Sequence, residues 1–180
     1  MKIKLIIGLG NPDSQYASTY HNAGILAINY LIGSQPSGFD CRLLKSDVYM
    51  NQSGNFVRQA LKKYSAKGGS ASRRRRGSPL AAGGKIKPEE ILIVHDDSDI
   101  ELGKYKFSFG RGSAGHKGVE SVIKTLKTKN FWRLRIGIRP KASKIKAEKF
   151  VLKKITKKDL AILNEAFQLI QTRLSIAHLS

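Results

Sequence analysis

Residues 3–8 (IKLIIG) form a short apolar run that stops at a glycine, the pattern of a strand buried on both faces. From Asn22 onward, Ile25, Leu26, Ile28, Leu31 and Ile32 recur at helical spacing. Residues 33–41 (GSQPSGFDC) read as a loop and Arg42–Lys45 as a short strand. Phe56, Val57, Ala60 and Leu61 then share one face of a helix that follows Asn51. Strand patterning returns in Glu90–His95 (EILIVH), which reads as buried, and in Lys104–Phe109 (KYKFSF), which alternates. A glycine-rich stretch at 110–118 (GRGSAGHKG) leads into a helix marked by Val119, Val122, Ile123 and Leu126. Trp132–Ile138 (WRLRIGI) alternates as a strand. Leu160, Leu163, Phe167, Ile170 and Leu174 trace one face of a C-terminal amphipathic helix. Alternating strands and helices with short links predict a single α/β domain over residues 1–180, with a twisted mixed central sheet flanked by helices.

One stretch breaks this rhythm. Residues 65–87 (SAKGGSASRRRRGSPLAAGGKIK) combine Gly, Ser and Ala with four consecutive arginines, which leaves little to bury, so a mobile basic insertion is expected there. It interrupts the domain without dividing it, because strong elements resume at once.

Charge narrows the function. With 33 Lys+Arg against 13 Asp+Glu the chain carries +20, which points to a polyanionic partner, nucleic acid before membrane. A lone Cys41 excludes an intramolecular disulfide and a Cys-rich zinc site, and it suits a reducing cytoplasmic setting. No apolar run approaches the length of about 18 residues that a membrane span needs. The N-terminal MKIKLIIGLGNP reads as a strand and turn, not as a signal peptide.

Five segments at predicted strand ends or helix starts are rich in small polar residues: GLGNP (8–12), YHNAG (20–24), YMNQSG (49–54), HDDSDIELG (95–103) and GRGSAGHKG (110–118). Ligands of open α/β sheets bind beyond the carboxyl ends of the strands, so these segments are candidates for one cleft. GLGNP is not a dinucleotide fingerprint. Asp13 stands where a third glycine belongs, and Pro12 spoils the turn into a helix.

Within these segments His21 stands at a predicted helix start, where the helix dipole disfavours imidazolium and keeps the ring able to accept a proton from water. Asp96, at a predicted strand end, is placed to take the other ring N–H and fix the tautomer. The segments bring no clear Ser or Cys nucleophile, so water is the expected attacking group. Asn11 and Asn51 offer neutral amides suited to an ester, although Asn11 also suits a turn before Pro12 and Asn51 a helix N-cap. Met50 reads as core on residue type alone. Arg133 and Arg135 alternate with apolar residues, so both face one side of their strand, either toward an anion or into solvent beside acidic partners.

Taken together and in this order, GLGNP, Tyr16, HNAG, YMNQSG, ILIVHDD with its following LG, the GxxGHxG loop and RLRIGI resemble the bacterial-type peptidyl-tRNA hydrolase family. The resemblance runs from Lys4 to the C-terminal helix. It implies a monomeric cytoplasmic enzyme, without metal or cofactor, that hydrolyses the ester between a peptide and the 3′ ribose of tRNA. It implies His21, Asp96 and Asn11 as catalytic residues. Tyr16, Met50 at the cleft edge, Asn51, Lys117, Arg135 and Arg111 are implied as substrate or tRNA contacts.

The chain departs from that family's pattern in four places. Lys117 stands where the family has an asparagine. Ser108 stands where it has a phosphate-binding lysine, with Lys106 and Arg111 as nearby substitutes. The stretch between the first helix and YMN is short, which curtails a strand pair, and the link before EEIL is swollen by Arg73–Arg76. The alternative these departures raise is a non-hydrolytic RNA-binding protein on the same fold.

Overall fold

The computed structural model describes residues 2–34, 41–65, 85–140 and 146–178. Five strands form one mixed sheet: β1 (Leu5–Gly8), β2 (Arg42–Lys45), β3 (Ile91–Glu101), β4 (Tyr105–Phe109) and β5 (Trp132–Arg139), in the order β2-β1-β3-β5-β4. All neighbours run parallel except β4, which returns antiparallel on β5. The period-2 geometry of a strand explains the two layers that cover the sheet. Ile6, Leu92, Val94, Leu134 and Ile136 face α1 (Ala23–Gly33) and α5 (Lys157–His178). Leu5, Ile7, Ile91 and Ile93 face α2 (Ser53–Ser65) and α3 (Lys117–Leu126). The central strands are apolar throughout because both of their faces are covered.

Two glycines bring α1 onto the sheet. A Cβ on Gly8 would lie 2.4 Å from the Gly24 carbonyl oxygen, and one on Gly24 would lie 2.4 Å from the Val94 carbonyl oxygen. The glycines of GLGNP and HNAG therefore let the start of α1 rest on β1 and β3 at backbone distance. That approach carries the turn before α1, and His21 with it, to Asp96 on β3.

Three elements differ from the sequence reading. β3 does not stop at His95 but continues to Glu101, because β5 keeps pairing with it through His95, Asp96 and Asp97 before the register shifts to Glu101 opposite Arg139. Leu160 is exposed, while Leu163, Phe167, Ile170 and Leu174 of α5 are buried. A short helix α4 (Ala147–Phe150), too brief for periodicity to reveal, precedes α5.

The expected mobile insertion falls mostly outside the described residues. Its two ends are joined, the Ile86 N–H donating to Ser65 Oγ at 2.8 Å, and Ile86 is buried with the α2–α3 layer, so this end of the block belongs to the core. At the opposite edge of the sheet from β4, β2 pairs with β1 and alternates between exposed ends and half-buried centre.

Candidate active site

The turn that holds His21 is a single 3-10 turn, Tyr20–Asn22, just ahead of α1. Its backbone is fastened by the segment after α4. The His21 N–H donates to the Val151 carbonyl at 2.8 Å and the Tyr20 N–H to that of Lys153 at 3.2 Å, while the Ile155 N–H donates to that of Ser18 at 2.8 Å. Tyr20 adds a ring contact to Phe150 and a hydrogen bond from its hydroxyl to Asp159. The turn is thus set by residues from the far end of the chain.

His21 Nδ1 meets Asp96 Oδ1 at 3.0 Å and Oδ2 at 3.1 Å. Asp96 is buried, so the acceptor-only carboxylate fixes the proton on Nδ1 and leaves Nε2 as the nitrogen able to take one. Burial disfavours the imidazolium, and the nearby Lys117 charge does too. The Asp96 carboxylate, by charge and by hydrogen bond, outweighs them, and the net effect raises the His21 pKa above its ordinary 6.5. Burial also pushes the Asp96 carboxyl upward, but the neighbouring His116 and His21, as charges and as donors, hold it far below the usual carboxylate range.

His116 is the residue that the sequence reading missed. It is the N-cap of α3, and its Nδ1 accepts from the N–H groups of Gly118 at 3.1 Å and Val119 at 3.3 Å. Its proton therefore sits on Nε2, which donates to Asp96 Oδ1 at 3.0 Å. The signal was present in GHKG, a histidine directly before a helix, but Ser, Thr, Asp and Asn are the usual caps. His95, packed edge-on to His116 with ring centroids 4.7 Å apart, is buried and held well below the ordinary histidine range, chiefly by that burial.

His21, Asp96 and His116 present one potential ligand atom each within 4.8 Å of one another, a grouping that suits a metal ion by distance. The hydrogen bonds oppose it. Ligation through His116 Nε2 would move the ring proton to Nδ1, against two backbone donors. The three side chains fit an oriented base better than a coordination sphere.

A cavity of about 460 Å³ opens beside the trio. It is lined by the glycine-rich loop from Ser113 to Lys117, by Ala147, Glu148, Val151 and Leu152, and by Asp97 and Ser98 of β3. Lys117, the first residue of α3, is exposed on its rim.

The other expected site residues lie away from this cavity. Asn11 is half-buried, its Oδ1 accepting from the Met50 N–H at 3.1 Å, so its amide NH₂ is left to donate outward. The buried Asn22 bonds the Asn11 backbone twice, N–H to Oδ1 at 2.8 Å and Nδ2 to carbonyl at 3.0 Å, and ties the GLGNP turn to the His21 turn. Met50 is buried with Leu9 and Val119, its sulfur against Gly118 at the start of α3. Asn51 is exposed inside the 3-10 turn Met50–Gln52 and is not the N-cap of α2. Tyr16 is half-buried at the end of a 3-10 turn, Ser14–Tyr16. Arg111 is exposed in the glycine-rich loop. Arg135 is not a bare cation: its Nε donates to Asp97 Oδ2 at 2.6 Å. Arg133, on the same face, is fully buried.

The family model described as Peptidyl-tRNA hydrolase matches residues 5–70 and 77–178, and the arginine run 73–76 falls in the gap between the two stretches. The peptidyl-tRNA hydrolase of Lawsonia intracellularis is 38% identical over 183 residues, which are 97% of this chain and 87% of that protein. That of Sulfurihydrogenibium sp. is 34% identical over 179 residues, 91% of this chain and 84% of that protein. The crystal structure of peptidyl-tRNA hydrolase from Acinetobacter baumannii superposes with a TM-score of 0.76 at 30% identity, covering 97% of this chain and 88% of that one.

Proposed function

Because this chain belongs to the peptidyl-tRNA hydrolase family and hydrolyses the ester bond of peptidyl-tRNA, we propose that His21 is the general base that activates the attacking water. The observation that carries this reading is the His21–Asp96 pair at 3.0 Å, with Asp96 buried and anchored a second time by His116. In the reaction Nε2 of His21 takes a proton from water as the oxygen attacks the ester carbonyl. Asp96 stabilises the imidazolium that forms, and the proton then passes to the departing 3′ oxygen of the ribose. A non-hydrolytic binding protein would have no use for a base oriented in this way.

The remaining residues divide by where they stand. Asn11 donates its free amide N–H to the ester carbonyl, with the Met50 N–H holding its other end. Lys117, on the cavity rim, meets substrate negative charge. Asn51 and Tyr16 keep the substrate contacts that the family resemblance implies. Arg135 and Arg111 meet tRNA phosphate, Asp97 holding Arg135 in orientation through Nε. A cytoplasmic monomer is the setting that the family's reaction on tRNA suggests; separately, no helix among the described residues is long and apolar enough to cross a membrane. Release of the acyl group from an N-blocked aminoacyl-tRNA, measured for wild type beside His21→Ala, tests the assignment. A fall of about a hundredfold or more is the scale expected for a lost general base. Near-wild-type turnover in the variant would remove His21 from the mechanism.

A further inference from the structure

The loop that delivers His116 to Asp96 has little of its own to hold it. Gly110, Ala114 and Gly115 adopt positive φ, at 66°, 50° and 80°, and Ala114 does so without glycine's freedom. Within the loop the backbone makes one turn bond, from the His116 N–H to the Ser113 carbonyl at 3.1 Å. Gly112, mid-loop and exposed, has nothing packed where a side chain would begin.

What reaches the loop from below is Arg133. Its Nη1 donates to the Gly112 carbonyl at 2.7 Å, from a side chain that is only 2% exposed. The arginine stands in the middle of the sheet, opposite Ile93 on β3 and Ser108 on β4. Its surroundings compensate it poorly. Burial pulls its pKa down, Arg135 and Arg111 add to that, and Asp97, already bonded to Arg135, is the one group that opposes it. Among the described residues its Nε has no partner, and neither has the buried Ser108 hydroxyl across the strand. A buried charge kept in this way is poor support for stability, because an apolar side chain of similar volume is often as good or better. The feature of Arg133 that an apolar residue could not replace is its bond to Gly112.

We propose that Arg133 is a positioning residue for hydrolysis: by holding Gly112 it sets the loop so that His116 reaches Asp96 and keeps that carboxylate aimed at His21. The inference rests on the reading of His21 and Asp96 as the base pair of the reaction. The connection runs from Arg133 to Gly112, along Ser113, Ala114 and Gly115 to His116, then to Asp96 Oδ1 and His21 Nδ1.

The test uses Arg133→Met, which keeps the volume, and Arg133→Lys, which keeps the charge but not the planar fork. Melting temperature, steady-state hydrolysis of N-blocked aminoacyl-tRNA and nitrogen NMR of the histidine rings are the readouts. The expected result is a melting temperature for Arg133→Met at or above wild type and a kcat lower by roughly ten- to hundredfold, the scale of a small displacement remote from the chemistry. KM should change little, and the His116 ring should lose its fixed Nε2–H form. A wild-type kcat, or a His116 ring unchanged from wild type, would overturn the proposal. So would failure of both variants to fold, which would make Arg133 a folding residue. If instead His21→Ala retained full turnover, the reading of the base pair would fall, while the His116 ring signals would still report whether Arg133 sets the loop.

Discussion

His116 Nε2 and His21 Nδ1 converge on a single oxygen, Oδ1 of Asp96, each at 3.0 Å. One carboxylate oxygen thus carries the base of the reaction on one side and the N-cap of α3 on the other. The carboxylate is oriented from two elements, and neither histidine can shift without disturbing Asp96.

This arrangement separates two jobs of His116, capping and anchoring. Asparagine is a good N-cap but is too short to do both, so His116→Asn should keep the start of α3 and release Asp96. We expect melting to change by less than about 1 kcal/mol, the usual worth of a cap. We expect kcat to fall by roughly tenfold or more from misorientation of the base. Thermal melts and turnover on the same preparation check both halves, and an unchanged kcat would deny His116 its anchoring role.

The raised pKa of His21 has a direction in pH. Water is activated only by the neutral ring, so kcat/KM should rise with pH through a limb placed above the ordinary histidine value of 6.5. The interaction with Asp96 stabilises the fold most below that ordinary value and is lost as pH rises through the folded pKa. For Asp96 the sign reverses: its contribution is present above the usual carboxylate value and is lost only as pH falls through its lowered one. Asp96→Asn should move the limb of whatever activity remains downward, toward or below 6.5, and lower turnover with tRNA affinity retained. A pH–rate profile identical to wild type would contradict the pair.

Lys117 is the charge that opposes this shift. Lys117→Asn should therefore move the acid limb of kcat/KM further upward. Removing a cation from the first turn of α3 should also stabilise the free protein, by roughly 0.3–1 kcal/mol. If the ammonium meets substrate negative charge, KM for peptidyl-tRNA rises in the same variant. The three readouts are a pH profile, a melting curve and KM, and a variant like wild type in all of them would place Lys117 outside the site.

Arg135 offers the sharpest test of the nucleic-acid surface. A cation that neutralises one phosphate steepens the dependence of log K on log salt by about 0.7–0.9. Arg135→Ala should weaken tRNA binding and flatten the slope by about that amount. Asp97→Asn should leave the slope in place and weaken affinity less, since it removes the orienting carboxylate but not the cation. A slope unaltered by Arg135→Ala would show that this side chain meets no phosphate.

The strands, the helices and the two-layer core were legible in the residue pattern, because apolar spacing of two or of about three and a half follows directly from backbone geometry. So were the candidates His21 and Asp96, through HNAG, GLGNP and HDD taken together and in order and not through either residue alone. That Asp96 should take the His21 ring N–H was also drawn from the sequence, but the geometry that brings the two together was not. They lie 75 residues apart, and what joins them is the backbone approach of Gly24 to β3 together with a turn fastened by Val151 and Lys153. Periodicity placed Arg133 and Arg135 on one face of β5, but it could not tell that one would be buried beneath a loop and the other paired with Asp97. His116 stayed hidden for the same reason. A glycine-rich turn before a helix looks alike whether its histidine faces solvent or a carboxylate. The identity of that neighbour is decided only when α3 and β3 pack together, because side-chain partners across elements depend on tertiary register and not on local spacing.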